Sequence, residues 1–351
     1  MSTPVLPATP IDTDALVIGA GPVGLFQAFQ LGLLGLSAQV VDVLPQAGGQ
    51  CVALYADKPI YDIPGVPVCT GRELAERLLQ QIAPFRHGLH VGHEVQTLRP
   101  LDDGRFAVGT GAGPQFVARS VFIAAGVGAF TPRRIKVAGL EAHEQRQVFH
   151  HPDDLAPFAG QRVLVVGGDE AALLRAATLA ELPQTTEVTL LHRRDQFSAE
   201  AGLLARVVAL RADGRLRVCI GQITAAQTQG DRLASVTVLD AEGVETQQAL
   251  DVLIVCQGLS PRLGPLADWG LALERKLLPV DVATFETAQP GVYAVGDINT
   301  YPGKKKLIVC GFHEATLAAH AAHDRLRPQE RGPLLYTTSS PLLHRRLGLA
   351  G

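Results

Sequence analysis

The sequence has few cysteines and none of the spacings that would give them a chemical role. Five are present, Cys51, Cys69, Cys219, Cys256 and Cys310, an odd number with no CxxC pair and no metal-ligand spacing. This argues against a disulfide framework or a zinc site and leaves them as small buried hydrophobes in a reducing compartment. Also missing is any apolar run approaching the roughly 20 residues that cross a bilayer. The first dozen residues are rich in Pro and Thr and lack the basic stretch and apolar core of a signal peptide. A frayed terminus and a cytoplasmic protein are therefore expected. Excess charge is absent as well: 31 Lys and Arg against 34 Asp and Glu leave a net charge of -3. Nothing global calls for nucleic acid or a membrane as partner.

What is present is an ordinary globular composition, 47% hydrophobic and 19% charged, over 351 residues. That length is too great for one compact core and reads as two domains. The chain is organised around Ala15-Leu16-Val17-Ile18-Gly19-Ala20-Gly21-Pro22-Val23-Gly24, an apolar strand running into a glycine turn and then a helix from about Val23 to Leu34. Gly19 allows the tight turn, Gly21 lets backbone approach a pyrophosphate, and Gly24 lets helix pack on strand. The helix then aims its N-terminal amides at the phosphates. Such a turn also arises for packing alone, but the next strand, Gln39-Val40-Val41-Asp42-Val43, places Asp42 where a ribose hydroxyl ligand belongs. Strand, turn, helix, strand and acid in that order point to a bound dinucleotide.

Beyond Asp42, Leu44 to Cys51 reads as a loop whose paired Gly48 and Gly49 suit close approach to a ligand. Leu54 to Gly65 is dense in Pro, Gly and aromatics and reads as ordered but irregular; there Tyr55 is either a surface-to-core plug or a ligand contact. Thr70 and Glu73 form a capping box that predicts a helix. Between Glu94 and Phe122, short alternating runs broken by turns predict a small antiparallel meander, and Val121 to Gly126 resumes a buried strand.

A second strand-turn-helix unit begins at Arg162-Val163-Leu164-Val165-Val166-Gly167-Gly168. Its next strand, Glu187 to Leu191, ends in His192, Arg193 and Arg194 where the first unit ends in Asp42. Cations at that place suit a ribose 2′-phosphate, so this unit reads as built for NADP over NAD, with a solvated basic loop as the alternative. Val252 to Gly258 gives a further strand, and Gly258 to Pro261 reads as a return linker. Pro290 to Asp297 supplies one more strand ending in Gly-Asp. Asp297 could accept from a cofactor hydroxyl or cap the helix suggested by Phe312 to Arg325.

These pieces resemble the flavoproteins of the thioredoxin reductase type and, more closely, the thioredoxin-reductase-like (type 2) ferredoxin–NADP reductases of bacteria. The resemblance covers nearly the whole chain. It rests on Gly19 to Gly24, on Leu44-Pro45-Gln46 with Gly48-Gly49-Gln50, and on Leu54-Tyr55 with Ile60-Tyr61-Asp62. It continues through Gly296-Asp297-Ile298, Tyr301 to Leu307 and Tyr336-Thr337-Thr338-Ser339-Ser340. It implies an α/β fold of two three-layer, Rossmann-like FAD- and NAD(P)-binding domains. The FAD domain would comprise 1–132 and 263–351, the latter ending in a flavin-covering segment, with an NADP domain of 133–262 inserted.

The resemblance also implies that FAD is held by the glycine turn, including Pro22 and Val23, and by Asp42 at the adenosine ribose. Gln50, Val95 and Phe130 would line the site, and Asp297 would hold the ribityl and flavin end. Tyr55 would stack on one face of the ring system, Tyr336 would cover the other, and Thr338 would bond near the ring. NADP(H) would sit at Gly167, Gly168, His192, Arg193 and Arg194. Homodimers are implied, with electrons passing from NADPH through the flavin to ferredoxin or flavodoxin, and no catalytic residue beyond the flavin is needed.

Two departures bear on function. Where thioredoxin reductases carry a CxxC before the second glycine turn, Val148 to Leu155 has no cysteine, so a thiol–disulfide relay is not expected. Where the family reads GGGDSA this chain reads Gly167-Gly168-Asp169-Glu170-Ala171-Ala172, and Ser198 stands where an Arg is usual. A carboxylate about 4 Å from a phosphate is repelled by about 1–4 kcal/mol, depending on the effective dielectric. Ferredoxin–NADP reduction is therefore the leading expectation. A reductase with another acceptor, such as a quinone, and a redox-responsive flavoprotein with weakened nicotinamide binding are the alternatives. Lys304, Lys305 and Lys306, with Arg345 and Arg346, are expected to form a basic landing site for an acidic ferredoxin, the alternatives being a solvated face or contact with the protein's own pyrophosphate.

Overall fold

In a computed structural model the described residues are 9–152, 154–183, 187–330 and 334–349; the side chains of Ala129, Phe130, Thr131, Leu259 and Pro261 are not among those described. The chain divides into two compact units, one of Met1–Ala129 with Arg262–Gly351 and the other of Phe130–Pro261.

In the first unit, β1 (Ile11–Ile18) leads through the glycine turn to α1 (Pro22–Leu33) and β2 (Ala38–Asp42). Strand β1 lies parallel between β2 and Gln115–Ile123, with Val17 opposite Val40 on one side and Phe122 on the other. The sheet runs Gly88–Val91, β2, β1, Gln115–Ile123, Phe106–Gly109, Thr97–Pro100, and Val292–Ala294 also pairs in parallel with Gln115–Ile123. Successive strand side chains point to opposite faces, and here both faces are covered, which is why the β1 pattern is a continuous apolar run and not an alternation. Ala15 and Val17 pack with Val40 and with Leu25 and Ala28 of α1. Leu16 and Ile18 pack with Val41, Phe106 and Phe116 on the other face. Burying each Val or Leu there contributes about 1.5–3 kcal/mol. The meander forms as expected, and Thr70 and Glu73 complete both bonds of the capping box at the head of Gly71–Ile82.

The expected loop after Asp42 is shorter than its glycines suggest. Gly49–Tyr55 is helical, entered through Gly48 at φ +117°, so the glycine begins the helix by turning the chain instead of preventing it. The helix expected over Phe312 to Arg325 is longer, Ile308–Leu326, and its N-cap is Leu307 without a side-chain bond. Asp297 therefore does not cap it.

In the second unit β3 (Arg162–Val166), α2 (Glu170–Glu181) and β4 (Glu187–His192) repeat the pattern. The parallel sheet runs Val148–His150, Val252–Val255, β3, β4, Arg217–Ile220. Val163, Val165, Val188 and Leu190 face α2 and Ala201–Ala212. Leu164, Val166, Leu253 and Val255 face Leu233, Val236 and Val238. Those last residues belong to a three-stranded antiparallel sheet, Gln222–Gln229, Arg232–Leu239 and Glu245–Ala249, for which the sequence reading had no counterpart. The expected return linker is partly a strand, since Leu259–Arg262 pairs with Ala129–Pro132. Among the described residues no helix is long and apolar enough to cross a membrane.

Candidate functional site

The glycine turn after β1 separates what the fold requires from what it leaves open. Gly19 lies at φ +112°, and a Cβ there would sit 2.4 Å from the Ala124 carbonyl oxygen. A Cβ on Gly24 would fall 1.8 Å from the Gly19 oxygen, so only glycine lets α1 approach β1. Gly21 differs. Its backbone is ordinary, φ -71°, and a Cβ would meet nothing nearer than the Gly49 Cα at 3.8 Å. Among the described residues no atom occupies the space of its side chain, which leaves room for a phosphate against the head of α1. Gly21 is the N-cap of α1, and among the described residues no side-chain cap bond is made there.

Around this turn the chain gathers several expected residues. Asp42, at the end of β2, is buried and its carboxylate accepts from the Ala20 amide at 2.5 Å and the Leu44 amide at 2.8 Å. Burial raises its pKa, and the two amide bonds oppose the rise. One lone pair on each oxygen remains for a ribose hydroxyl. The Gly48 amide donates to the Ala20 oxygen at 2.8 Å, tying the second glycine pair to the first turn, and Gln50 Nε2 would lie 2.8 Å from a Cβ on Gly126. Val23 is held between Gly296, whose Cβ would be 3.5 Å away, and Gly311, whose Cβ would be 2.3 Å away. The 296–298 turn is thereby brought to the head of α1. Tyr55 is half-buried with its hydroxyl 3.4 Å from Cys51 Sγ. Burial raises the pKa of both groups, and the Asp297 charge adds to each rise, which sets Asp297 near this pair. Asp297 itself is raised by burial, with Lys304 and Lys306 pulling the other way.

Val95 is buried in the apolar core beside Leu16 and Ile18. The Phe130 side chain lies outside the described residues. Tyr336 is 64% exposed and Thr338 is exposed, in a segment that Ser340 ends by capping Pro341–Arg346.

The expected basic landing site is corrected at two positions. Lys304 is 8% exposed and ion-paired with Glu314, which is fully buried. The position of the three lysines just after Gly296-Asp297 places them together, but the chain turns at Pro302-Gly303 and sends only Lys304 inward. Arg346 donates to the Leu33 carbonyl at 2.5 Å and packs on Gly35, so it anchors the C-terminal helix to the end of α1. Lys305, Lys306 and Arg345 remain exposed. The sequence reading missed Glu314. Its signal was a carboxylate at helical spacing with Gly311, Ala315 and Ala318, the buried stripe of its helix.

In the second unit the two turn glycines differ, Gly167 facing backbone and Gly168 facing a side chain that can move. A Cβ on Gly167 would lie 2.1 Å from the Cys256 oxygen, and one on Gly168 would lie 2.5 Å from the His192 ring. Asp169 is the N-cap of α2, its Oδ1 accepting from the Ala172 amide at 3.0 Å. His192 closes over the turn at the end of β4; burial, then Arg193 and Arg194, hold its pKa below the ordinary imidazole value. Arg193 and Arg194 are exposed, as a site for a phosphate from solvent requires.

Residues 13–324 match the family model for pyridine nucleotide-disulphide oxidoreductases. The chain is 57% identical over 350 residues to a ferredoxin–NADP reductase of Paracidovorax citrulli (strain AAC00-1), covering 97% of each chain. It is 50% identical over 342 residues to a ferredoxin–NADP reductase of Albidiferax ferrireducens, again covering 97% of each. Among solved structures, a thioredoxin reductase of T. acidophilum superposes with a TM-score of 0.61 at 23% identity, over 90% of this chain and 99% of that one. The bacillithiol disulfide reductase Bdr of Staphylococcus aureus gives 0.65 at 17% identity, over 92% and 100%. Identities that low speak for the fold alone.

Proposed function

We infer that this chain, which belongs to the pyridine nucleotide-disulphide oxidoreductase family and within it to the bacterial ferredoxin–NADP reductases, is an FAD-dependent enzyme that moves electrons between NADPH and ferredoxin. The observation that carries the cofactor half is Gly21, where among the described residues no atom occupies the space of a side chain, which leaves room for a pyrophosphate. FAD, when bound, supplies the exchange between a hydride donor and a one-electron iron–sulfur acceptor.

The residues of this chain have the tasks of holding and orienting. Gly19 to Gly24, with Pro22 and Val23, and the free amides of α1 would hold the pyrophosphate. Asp42 would take the adenosine ribose, and Gln50, Val95 and Phe130 would line the site. Asp297 would take the ribityl and flavin end, with Tyr55 and Tyr336 against the two ring faces and Thr338 at its edge. Gly167, Gly168 and His192 would take NADP(H), with Arg193 and Arg194 on the 2′-phosphate. By this reading 1–132 and 263–351 are the FAD domain and 133–262 the NADP domain. The protein acts as a cytoplasmic homodimer whose acceptor is ferredoxin or flavodoxin. No dithiol takes part in this reading: Cys51 Sγ lies 3.4 Å from the Tyr55 hydroxyl, and burial, with Cys69 and Asp297 adding to the rise, disfavours its thiolate.

The test is Gly21→Val. The wild type should purify yellow with FAD bound non-covalently, and the variant, with the pyrophosphate space filled, should purify without it. Normal FAD content in a folded variant would refute the assignment.

One observation supports a second reading, a flavoprotein with weakened nicotinamide binding that acts as a redox-responsive binding protein. Asp169 occupies the Ala172 amide at the head of α2 with a carboxylate of the protein's own, where a pyrophosphate would otherwise bind.

A further inference from the structure

Glu314 is fully buried on the inner face of the Ile308–Leu326 helix, yet it is surrounded by donors, all drawn from the segment that follows Val292–Ala294. One carboxylate oxygen accepts from the Gly296 amide at 2.7 Å and from Asn299 Nδ2 at 2.9 Å. The other accepts from the Tyr301 hydroxyl at 2.9 Å and from Lys304 Nζ at 2.5 Å. Lys304 Nζ also donates to the Gly296 carbonyl at 2.8 Å. The two ends of one ion pair thus hold the two backbone groups of one residue: the carboxylate takes the Gly296 N–H and the ammonium takes its C=O. Gly296 lies at φ +77°, in the left-handed region, and the next residue is Asp297.

Buried ion pairs are seldom worth more to stability than well-packed apolar residues of the same volume. A pair kept in an otherwise alanine-lined helix contact is better explained by what it holds in place. Lys304 and Glu314 are also among the charges that act on Asp297, the first lowering its pKa and the second raising it.

We propose that Lys304 and Glu314 are positioning residues for the FAD site, fixing the Gly296 peptide so that Asp297 is presented in one orientation and balancing the charge beside it. They act through Asp297 and do not themselves touch the cofactor. The proposal rests on the reading that Asp297 holds the ribityl and flavin end of FAD. Charge fixes the direction of the effects. Removing Lys304 leaves the Glu314 carboxylate uncompensated beside Asp297, and reduction adds negative charge to a flavin, so the flavin should become harder to reduce. Removing the Glu314 charge should make it easier to reduce. Removing both restores the balance.

The experiment compares Lys304→Met, Glu314→Gln, the double variant and the charge-keeping Lys304→Arg. Each is measured for FAD dissociation constant on reconstitution of apoprotein, flavin midpoint potential and apoprotein melting temperature. Lys304→Met should bind FAD about tenfold more weakly, as expected for loss of one hydrogen bond from a charged group. Its potential should fall, that of Glu314→Gln should rise, and the double variant and Lys304→Arg should lie near wild type. If Lys304→Met does not fold, a raised potential in Glu314→Gln that returns to near the wild-type value in the double variant still decides the point, and a double variant that stays as high as Glu314→Gln would count against it. Lower melting temperatures with FAD affinity and potential unchanged would make the pair purely structural and overturn the proposal. Asp297→Asn is the control for the underlying reading: unchanged FAD affinity in that variant would overturn the placement of Asp297, whatever the pair does.

Discussion

The Asp169 carboxylate accepts the Ala172 amide at 3.0 Å, so the second dinucleotide turn begins its helix with a charged cap where the first begins with bare Gly21. The two units share strand, turn, helix and strand, yet differ at the N-cap of the helix that follows the turn. Asp169→Gly should therefore tighten NADPH and NADH alike, by about tenfold if the relieved repulsion is near the low end of about 1–4 kcal/mol. Replacing an N-cap Asp by Gly costs only about a few tenths of a kcal/mol, so thermal stability should hardly move. Titration of the oxidised enzyme with NADP and NAD measures both affinities; unchanged values would show that the carboxylate stays clear of the phosphates.

Arg193 and Arg194 separate the two nucleotides. Changing both to Ala should raise KM for NADPH far more than for NADH, because only the former carries the 2′-phosphate. The loss should be about 1.5–3 kcal/mol for exposed charge-assisted contacts. Equal effects on the two nucleotides would remove the preference for NADP.

A variant with all five cysteines changed to Ser or Ala should keep diaphorase activity with a dye acceptor. Cys51, Cys69 and Cys256 are buried, so stability should fall, by an amount set by repacking. Loss of turnover with FAD still bound and the fold intact would mean that a thiol takes part in the reaction.

Much of this was legible in the sequence because it depends on local rules. The turn at Gly19 to Gly24, the capping box of Thr70 and Glu73, and the parallel strands as continuous apolar runs each follow from steric demands of a few consecutive residues. What was not legible depends on where the chain returns. Lys304 read as one of three surface lysines until the turn at Pro302-Gly303 delivered it to Glu314, ten residues away in sequence. Arg346 read as a free cation until its helix met the carbonyl of Leu33. Gly48 read as part of a loop, although a left-handed glycine can equally start a helix. The Gln222–Ala249 strands carry polar residues along much of their length, and their pairing becomes evident only against the face of the parallel sheet that they cover.

With Lys304 and Arg346 engaged internally, Lys305 and Lys306 are the exposed cations of the 301–307 turn. An acidic ferredoxin approaching a protein of net charge -3 needs such a local patch. Changing both lysines to Gln should slow ferredoxin turnover and flatten its salt dependence while leaving a small neutral acceptor nearly unaffected. The wild-type rate with ferredoxin should fall steeply toward 0.1 M salt, where the Debye length is about 10 Å. A rate indifferent to salt would count against electrostatic docking.

Electrons are expected to pass in this chain from NADPH through a bound flavin to a one-electron carrier without a thiol. The decisive measurement is anaerobic mixing of the purified yellow protein with NADPH and, separately, with NADH while flavin absorbance is followed, and then addition of oxidised ferredoxin. NADPH should bleach the flavin faster than NADH, and ferredoxin should restore its absorbance as two ferredoxins are reduced per NADPH consumed. A flavin that neither nucleotide bleaches, or one that NADPH bleaches but ferredoxin cannot reoxidise, would contradict this electron path.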